Sequence, residues 1–307
     1  MAQEVDGLWL QQYVEPQLLE DFRNYRDDFL GALKGVNIGA LDKDGIRFNK
    51  LINNVGFKVN ANVNFTPEKM DGKKTLVEWD KLDTTPTAYT DAELRAMAFD
   101  KESGIRAAHT DAFKLGVRDY ALNKLAPAKH VAGKMPVLRT TGEEFEGRKR
   151  MTFEDLLNFY NALSPLNMLD STGWNFVLNS EHRGDLMVDK ASTSNYRDIE
   201  FDKSTGEVSR FFKMKLWENN DTPVYNTAGE LKSLGSNAAA GDQNASVFFY
   251  APSTVYHIEQ VMILFNDMRT DVISKDPESK VRLHTYGLCD KKQEHGFGAV
   301  ISGNVAP

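Results

Sequence analysis

The sequence predicts an α+β fold, and three observations carry that reading. A helical segment, TDAELRAMAFDKESGIRAAHTDAFKLGVRDYALNKL, runs from Thr90 to Leu125. The stretch Phe57 to Phe65 alternates, with Val59, Ala61, Val63 and Phe65 on one side and Asn60, Asn62 and Asn64 on the other, which is the period of a strand. The remaining elements follow as a helix and then mixed strands and helices, not the regular βαβ alternation of a parallel doubly wound sheet or a barrel.

In chain order, residues 8–34 carry Leu18, Leu19, Phe22, Phe29, Leu30 and Leu33 among charged residues, and they predict an amphipathic helix with Pro16 in its first turn. Gly31, Gly35 and Gly39 then loosen the backbone. The alternating segment and a return strand, Thr75 to Asp80, predict a long hairpin with Pro67, Asp71 and Gly72 near its tip. Such a ribbon is marginal alone and needs another surface.

Thr90 with Glu93 forms a capping-box signature, and Leu125-Ala126-Pro127 ends the helical ladder. Ser103-Gly104 is the weak point. The continuous helix is therefore expected over Ser103–Leu125, roughly 30 Å long, with Thr90–Ala98 as a separate capped turn. Ile105, Ala108, Ala112, Leu115 and Leu122 mark its expected apolar face.

Met135 to Leu138 predicts a short strand, and the connector TTGEEFEGRKR a solvated charged turn. Thr152 is placed to cap a helix over Met151–Leu163, where Phe153, Leu156, Leu157, Tyr160 and Leu163 share a face. Trp174 to Leu178 predicts a buried strand, with Ser180 capping the helix that follows. Strands are expected at Glu207–Phe212, Met214–Glu218, Val224–Tyr225, Val247–Tyr250 and Phe297–Ser302. Between them, residues 229–246 are small and polar and predict a mobile loop. Val261–Ser274 and Lys280–Tyr286 flank a turn at Lys275-Asp-Pro-Glu278.

Composition excludes several function classes. The chain has 307 residues, 41% hydrophobic and 26% charged, with a formal charge of −7. No basic block supports sequence-independent duplex binding. No apolar run reaches the ~18 residues of a membrane span, so no membrane partner is expected. Met1 to Pro16 lacks the pattern of a secretory signal. Cys289 is the single cysteine and forms no intrachain disulfide, which fits a reducing cytosol.

Catalytic signatures are missing as motifs. There is no phosphate-binding GxxxxGK[ST], no GxGxxG after a strand and no GxSxG elbow. The six histidines, His109, His130, His182, His257, His284 and His295, lack metal-site spacing. Neither a catalytic residue, a cofactor nor a metal is expected. Cys289 with His295 or His284 is the one nucleophilic pair to weigh; a plain free thiol is the stronger reading, because no orienting or oxyanion partner can be named. Of the four tryptophans, Trp174 and Trp217 read as core. Trp79, on an element with little core of its own, reads as an interface anchor.

The order of parts resembles the major capsid proteins of tailed bacteriophages, those with the Hong Kong 97 phage fold. An N-terminal arm leads to an extended hairpin, Phe57–Asp80, and then to the long helix ending at Leu125. MTFEDLLNFYNALSPLNMLDSTGWNFVLNSEHRGDLM is similar to the family's central segment. VMILFNDMRTDVISKDPESKVRLHTYGLCDKKQEHGFGAVI is similar to its C-terminal pattern, with an aromatic-glycine step at Tyr286-Gly287 and a closing strand near Ala299-Val300-Ile301.

The resemblance implies a structural protein whose copies form hexamers and pentamers of an icosahedral shell around double-stranded DNA. It implies an N-terminal arm (1–55), an extended hairpin (56–90), a peripheral domain (91–150 and 256–287) built on the long helix as a spine, and an axial domain (151–255 and 288–307). Residues expected to touch neighbouring copies are Trp9, Phe65, Lys69, Lys73, Lys74 and Trp79. The implied partners are the chain itself, a scaffolding protein, a portal and decoration proteins, with weak non-specific contact to packaged DNA. Because the recognisable arm begins almost at Met1, scaffolding by a separate chain is the expectation. No acceptor for a lysine crosslink can be identified, so Lys69, Lys73 and Lys74 read as solvated lysines that protect an edge. The implied location is the virion, after synthesis in a bacterial cytoplasm. Two alternatives stand beside this reading: an encapsulin-like cellular compartment shell, and an enzyme dependent on Cys289.

Overall fold

The computed structural model describes residues 28–36, 41–51, 59–60, 72–90, 101–166, 168, 173–192, 199–201, 208–270 and 273–304. The segment predicted as a helix over 8–34 is described only from residue 28, where a single 3-10 turn, Asp28–Ala32, buries Phe29.

The first sheet has three strands, β1 (Leu41–Asp42), β2 (Gly45–Leu51) and β3 (Gly72–Glu78), in antiparallel order. β3 contains the predicted return strand, but its partner differs from the expectation. Gly45↔Glu78 through Leu51↔Gly72 is the observed register, so β2, not Phe57–Phe65, is the first arm. Most of Phe57–Phe65 lies outside the described residues, and Asn60 there has a positive φ of 51°. A β-carbon on Gly45 would fall 1.9 Å from the Val77 carbonyl oxygen, and Gly45 has φ +132°. Only glycine fits there, which pins the start of the ribbon.

β4 (Asp80–Asp83) and β5 (Thr87–Thr90) follow, so Thr90 ends a strand; the predicted cap over Thr90–Ala98 otherwise lies outside the described residues. The long helix α1 runs over Lys101–Leu125. Ser103-Gly104 sits within it without a break. Its end is held from outside: Lys291 Nζ donates to the carbonyls of Lys124 (2.6 Å) and Ala126 (2.9 Å), satisfying acceptors the last turn leaves open.

β6 (Val137–Arg139) matches the predicted short strand. The connector expected as a solvated turn is a tight hairpin, β7 (Glu144–Phe145) and β8 (Arg148–Lys149). Glu146 and Gly147 both have positive φ, 51° and 76°, as a two-residue hairpin of the required twist demands. Helix α2 (Phe153–Leu163) carries the predicted cap. The Thr152 side chain accepts from Asp155 N–H, and the Asp155 carboxylate accepts from Thr152 N–H.

β9 (Trp174–Asn179) is buried at every position. Helix α3 (Ser180–Ser192) begins immediately after it, and Asn179 rather than Ser180 serves its first turn, with Asn179 Oδ1 accepting from Glu181 N–H at 2.8 Å. The strands β10 (Ile199–Phe201), β11 (Val208–Phe211), β12 (Met214–Asn219) and β13 (Val224–Tyr225) follow, and the last three fall where alternation predicted strands from 207 onward. β14 (Gln243–Tyr250) starts earlier than expected, inside the segment predicted as loop. The shorter loop before it is tied by Lys232, which pairs with Asp242. β15 (Thr254–Ile258), β16 (Met262–Asn266), β17 (Glu278–Lys291), β18 (Phe297–Ile301) and β19 (Gly303–Asn304) complete the chain.

These strands form two main sheets. The larger has the order β10-β11-β12-β9-β14-β18-β6, with β13 added on β14. Side chains from its two faces enter two cores. Leu156, Phe159 and Leu163 of α2 pack on Trp174, Phe176, Leu178, Phe248 and Val300. On the other face Tyr120, Ala121, Leu122 and Leu125 of α1 pack with Val177, Val247, Phe249, Ala299 and Ile301. With helices on both faces, β9 reads as a continuous apolar run rather than an alternating one. β6 hydrogen-bonds β18, so residues 137–139 join this sheet and not the long helix with which the sequence grouped them.

The second sheet is organised on β17, fourteen residues long. β15 and β16 pair with one side of it, and β4 and β5 with the other. α1 lies on the face of Val281, Leu283, Thr285 and Cys289. The hairpin predicted around Lys275–Glu278 is therefore present, but within a wider sheet whose other strands alternation did not signal.

Candidate functional site

The nucleophile weighed from the sequence is not available for chemistry. Cys289 is 1% exposed beneath α1, and burial pushes its thiol up to about 12. Its Sγ lies 4.0 Å from the Ala121 carbonyl. His284 is five residues away along the same extended strand, roughly 17 Å, and pairs with Asp83 at 2.7 Å.

Two further histidines are structural links. His182 is fully buried; its Nδ1 lies 2.7 Å from Ser246 Oγ and its Nε2 2.9 Å from Ser302 Oγ, and burial lowers it to about 4. His109 on α1 bridges Thr84 (2.7 Å) and Thr87 (3.0 Å), and burial lowers it as well. Among the described residues no group of three or more His, Cys, Asp or Glu could hold a metal ion.

Two buried arginines lock elements together. Arg118 on α1 is 1% exposed and reaches Asp119 Oδ1 (2.8 Å) and Asp221 Oδ2 (2.5 Å) after β12. Arg148 on β8 makes two bonds to Asp185 of α3, at 2.5 and 3.1 Å. Arg148 was expected in a solvated turn; hairpin formation turns its side chain inward to meet Asp185, while Glu143, Glu144 and Glu146 stay outside.

A groove of about 570 Å³ opens between α1 and the β4–β5 segment. Ala108, Ala112 and Gly116 form its helical wall. This corrects the expected apolar face of α1: Ala108 and Ala112 are exposed, and Ile105 and Leu115 are only half-buried. Burial follows contact with the sheets, and Val117, Tyr120, Ala121, Leu122 and Leu125 sit where α1 crosses them. Tyr120 Oη is central to this crossing: it donates to Asp80 Oδ2 at 2.5 Å and accepts from Cys289 N–H at 3.2 Å.

Of the residues expected at contacts between copies, Trp9, Phe65 and Lys69 lie outside the described residues. Lys73 and Lys74 lie on β3, opposite Lys50 and Asn49. Trp79 is half-buried at the base of the ribbon. Its indole N–H donates to the Asp42 carbonyl at 3.0 Å, its ring meets His257 edge-on at 6.0 Å, and it packs beside the Ile46, Val77, Val255 and Leu288 cluster. The surface feature the sequence reading passed over is β16, all of whose residues are exposed. Its apolar run was legible; that neither face is covered was not.

Among the described residues no helix is long and apolar enough to cross a membrane. No protein-family model matches the sequence, and no curated protein is detectably similar to it. Solved structures are similar over nearly the whole chain. The capsid of the cyanophage P-SCSP1u superposes with a TM-score of 0.69 at 13% identity, covering 99% of this chain and 96% of that one. A subunit of the cyanophage Pam1 capsid asymmetric unit gives 0.65 at 12% identity with complete coverage of both chains. The capsid of an empty GTA particle gives 0.63 at 13%, covering 97% and 96%. The chain thus has the fold of phage capsid proteins.

Proposed function

We propose that this chain is a major capsid protein, the repeated subunit of an icosahedral shell that encloses the double-stranded DNA of a tailed phage. The observation that carries the reading is coverage in both directions: the fold is shared with capsid chains over 99% of this chain and 96% of one, and over the whole of both chains for the other. The buried thiol of Cys289 argues against the one enzyme reading weighed, which depends on that thiol.

In this reading copies assemble as hexamers and pentamers. The sheet on β17 with α1 as spine is the peripheral domain, and the sheet on β9 and β14 is the axial domain. The ribbon that begins with β2 and β3 reaches a neighbouring copy, with Lys73, Lys74 and Trp79 near the contact. A scaffolding protein, a portal and decoration proteins are its partners, and the packaged DNA meets a mildly acidic subunit only weakly. The subunit is made in the host cytoplasm and ends in the virion. An encapsulin-like compartment is the competing shell. Negative-stain microscopy of the purified protein tests the shell reading. Isometric particles tens of nanometres across support it, and a uniformly small species at high concentration, with and without scaffold, refutes it. Nuclease-protected DNA in particles from infected cells separates a phage shell from a cargo compartment.

A further inference from the structure

The sequence VMILF places five large apolar residues in a row, and the structure leaves all of them uncovered. Val261 is 37% exposed, Met262 48%, Ile263 60%, Leu264 38% and Phe265 49%. Neither face of the strand supplies cover. Ile263 and Phe265 stand opposite Leu283 and Val281, on the α1 face of the sheet, while Met262 and Leu264 stand opposite His284 and Arg282 on the other face. Among the described residues β16 pairs with β17 alone, so its outer edge of backbone N–H and C=O groups is open.

Soluble proteins protect such an edge with a charge, a proline or a bulge, and β16 itself has none of these. The uncovered apolar strip is on the order of 400 Å², the size of the largest apolar patch a monomer ordinarily shows, which is often functional. It is about half of what one partner gives to a standard interface.

We propose that β16 pairs edge to edge, antiparallel, with β16 of a second copy, joining two β17-centred sheets across a twofold axis. The occupant follows from complementarity. Among the described residues the other exposed large apolar residues are scattered singly or in pairs, such as Leu76, Phe145, Met187 with Val188, and Leu234, so no other strand offers a matching run. The strip has no charge, so two copies meet without like-charge repulsion. Centred on Leu264, the pairing sets Ile263 against Phe265 of the second copy and Phe265 against its Ile263, both favourable cross-strand pairs, and Leu264 against Leu264. A twofold contact of this kind is self-complementary by construction.

The inference rests on the shell reading for the presence of many copies, and its test is separate from that reading. In the full chain, Leu264→Cys places a thiol opposite itself, within reach of a disulfide, while buried Cys289 stays silent. Mild oxidation is expected to convert most Leu264→Cys protein to a covalent dimer, and Phe145→Cys, also exposed, to give little. Ile263→Lys, at a site that is already exposed, is expected to weaken dimerisation at least tenfold by sedimentation with an unchanged melting temperature. Shells without a Leu264→Cys crosslink overturn this inference and leave the shell reading intact. Crosslinked dimers that never form shells, with scaffold or without, do the reverse. If the thiol introduced by Leu264→Cys is protected from alkylation yet uncrosslinked, another segment covers β16 and the pairing is overturned.

Discussion

Arg118 Nη2 lies 2.5 Å from Asp221 Oδ2, joining the C-terminal half of α1 to the loop after β12. The two ends of this pair are unequal. The arginine side chain is 1% exposed and the aspartate 60%, with Asp119, 32% exposed, as the second acceptor. Removing the guanidinium leaves two carboxylates that water can solvate. Removing both carboxylates leaves a charge buried with its main counterions gone. Asp119→Asn with Asp221→Asn should therefore cost about 3 kcal/mol, and Arg118→Met about 1 kcal/mol or less. Urea unfolding of both variants checks the order; equal losses would show that solvation does not govern this pair.

The Arg148–Asp185 pair is buried at both ends, so no such asymmetry is expected. Asp185 also accepts from Met151 N–H at 3.0 Å, just before α2, so one carboxylate ties β8, α2 and α3 together. Asp185→Ala and Arg148→Ala should each cost about 3–5 kcal/mol. Arg148→Met with Asp185→Leu should recover part of the loss, because apolar packing replaces the pair without leaving a lone charge. Denaturant midpoints of the three variants decide this, and a double variant as unstable as the sum of the singles would rule it out.

How far the sequence carried is clearest at α1 and the β7–β8 hairpin. The extent of α1 was legible because periodicity and Pro127 are local signals. Its buried side was not, because Ala108 and Ala112 border an open groove while His109 reaches Thr84 and Thr87, and only the crossing geometry decides that. At Arg148 a run of charges read as solvated, since nothing near it in sequence announces Asp185 thirty-seven residues later. The partner of β3 was misjudged for a related reason. Phe57–Phe65 alternates better than Gly45–Leu51, but the close approach of Gly45 to Val77 fixes the register. The Thr152 cap and the stop before Pro127 were readable, whereas pairings across the chain depend on contacts that no window contains.

Cys289 should behave as an inert core residue. A thiol shifted to about 12 holds almost no thiolate near neutral pH, and it is shielded as well. Ellman's reagent should react with the native protein at least roughly a hundredfold more slowly than with the urea-unfolded chain. Cys289→Ala should keep the same oligomeric state and melt within ~1 kcal/mol of the parent. Rapid labelling of the native protein would reopen the nucleophile reading.

His182 gives the fold a pH dependence whose sign follows from its burial. Desolvation lowers the folded-state value from 6.5 to about 4, with Arg148 acting in the same direction and Asp185 and Asp155 opposing it. Above 6.5 the imidazole is neutral in both folded and unfolded chains and exerts no pH effect. As pH falls below 6.5 the unfolded chain takes up a proton that the folded chain refuses, so stability falls. The loss levels off near pH 4, where the folded form protonates too. Its full extent is on the order of 3 kcal/mol. His109 is lowered by burial and acts with the same sign. Denaturation at stepped pH between about 7 and 4 should show the decline. His182→Gln should flatten it while lowering stability at neutral pH through the lost contacts to Ser246 and Ser302. An unchanged slope in that variant would place the titration elsewhere and remove His182 as its source.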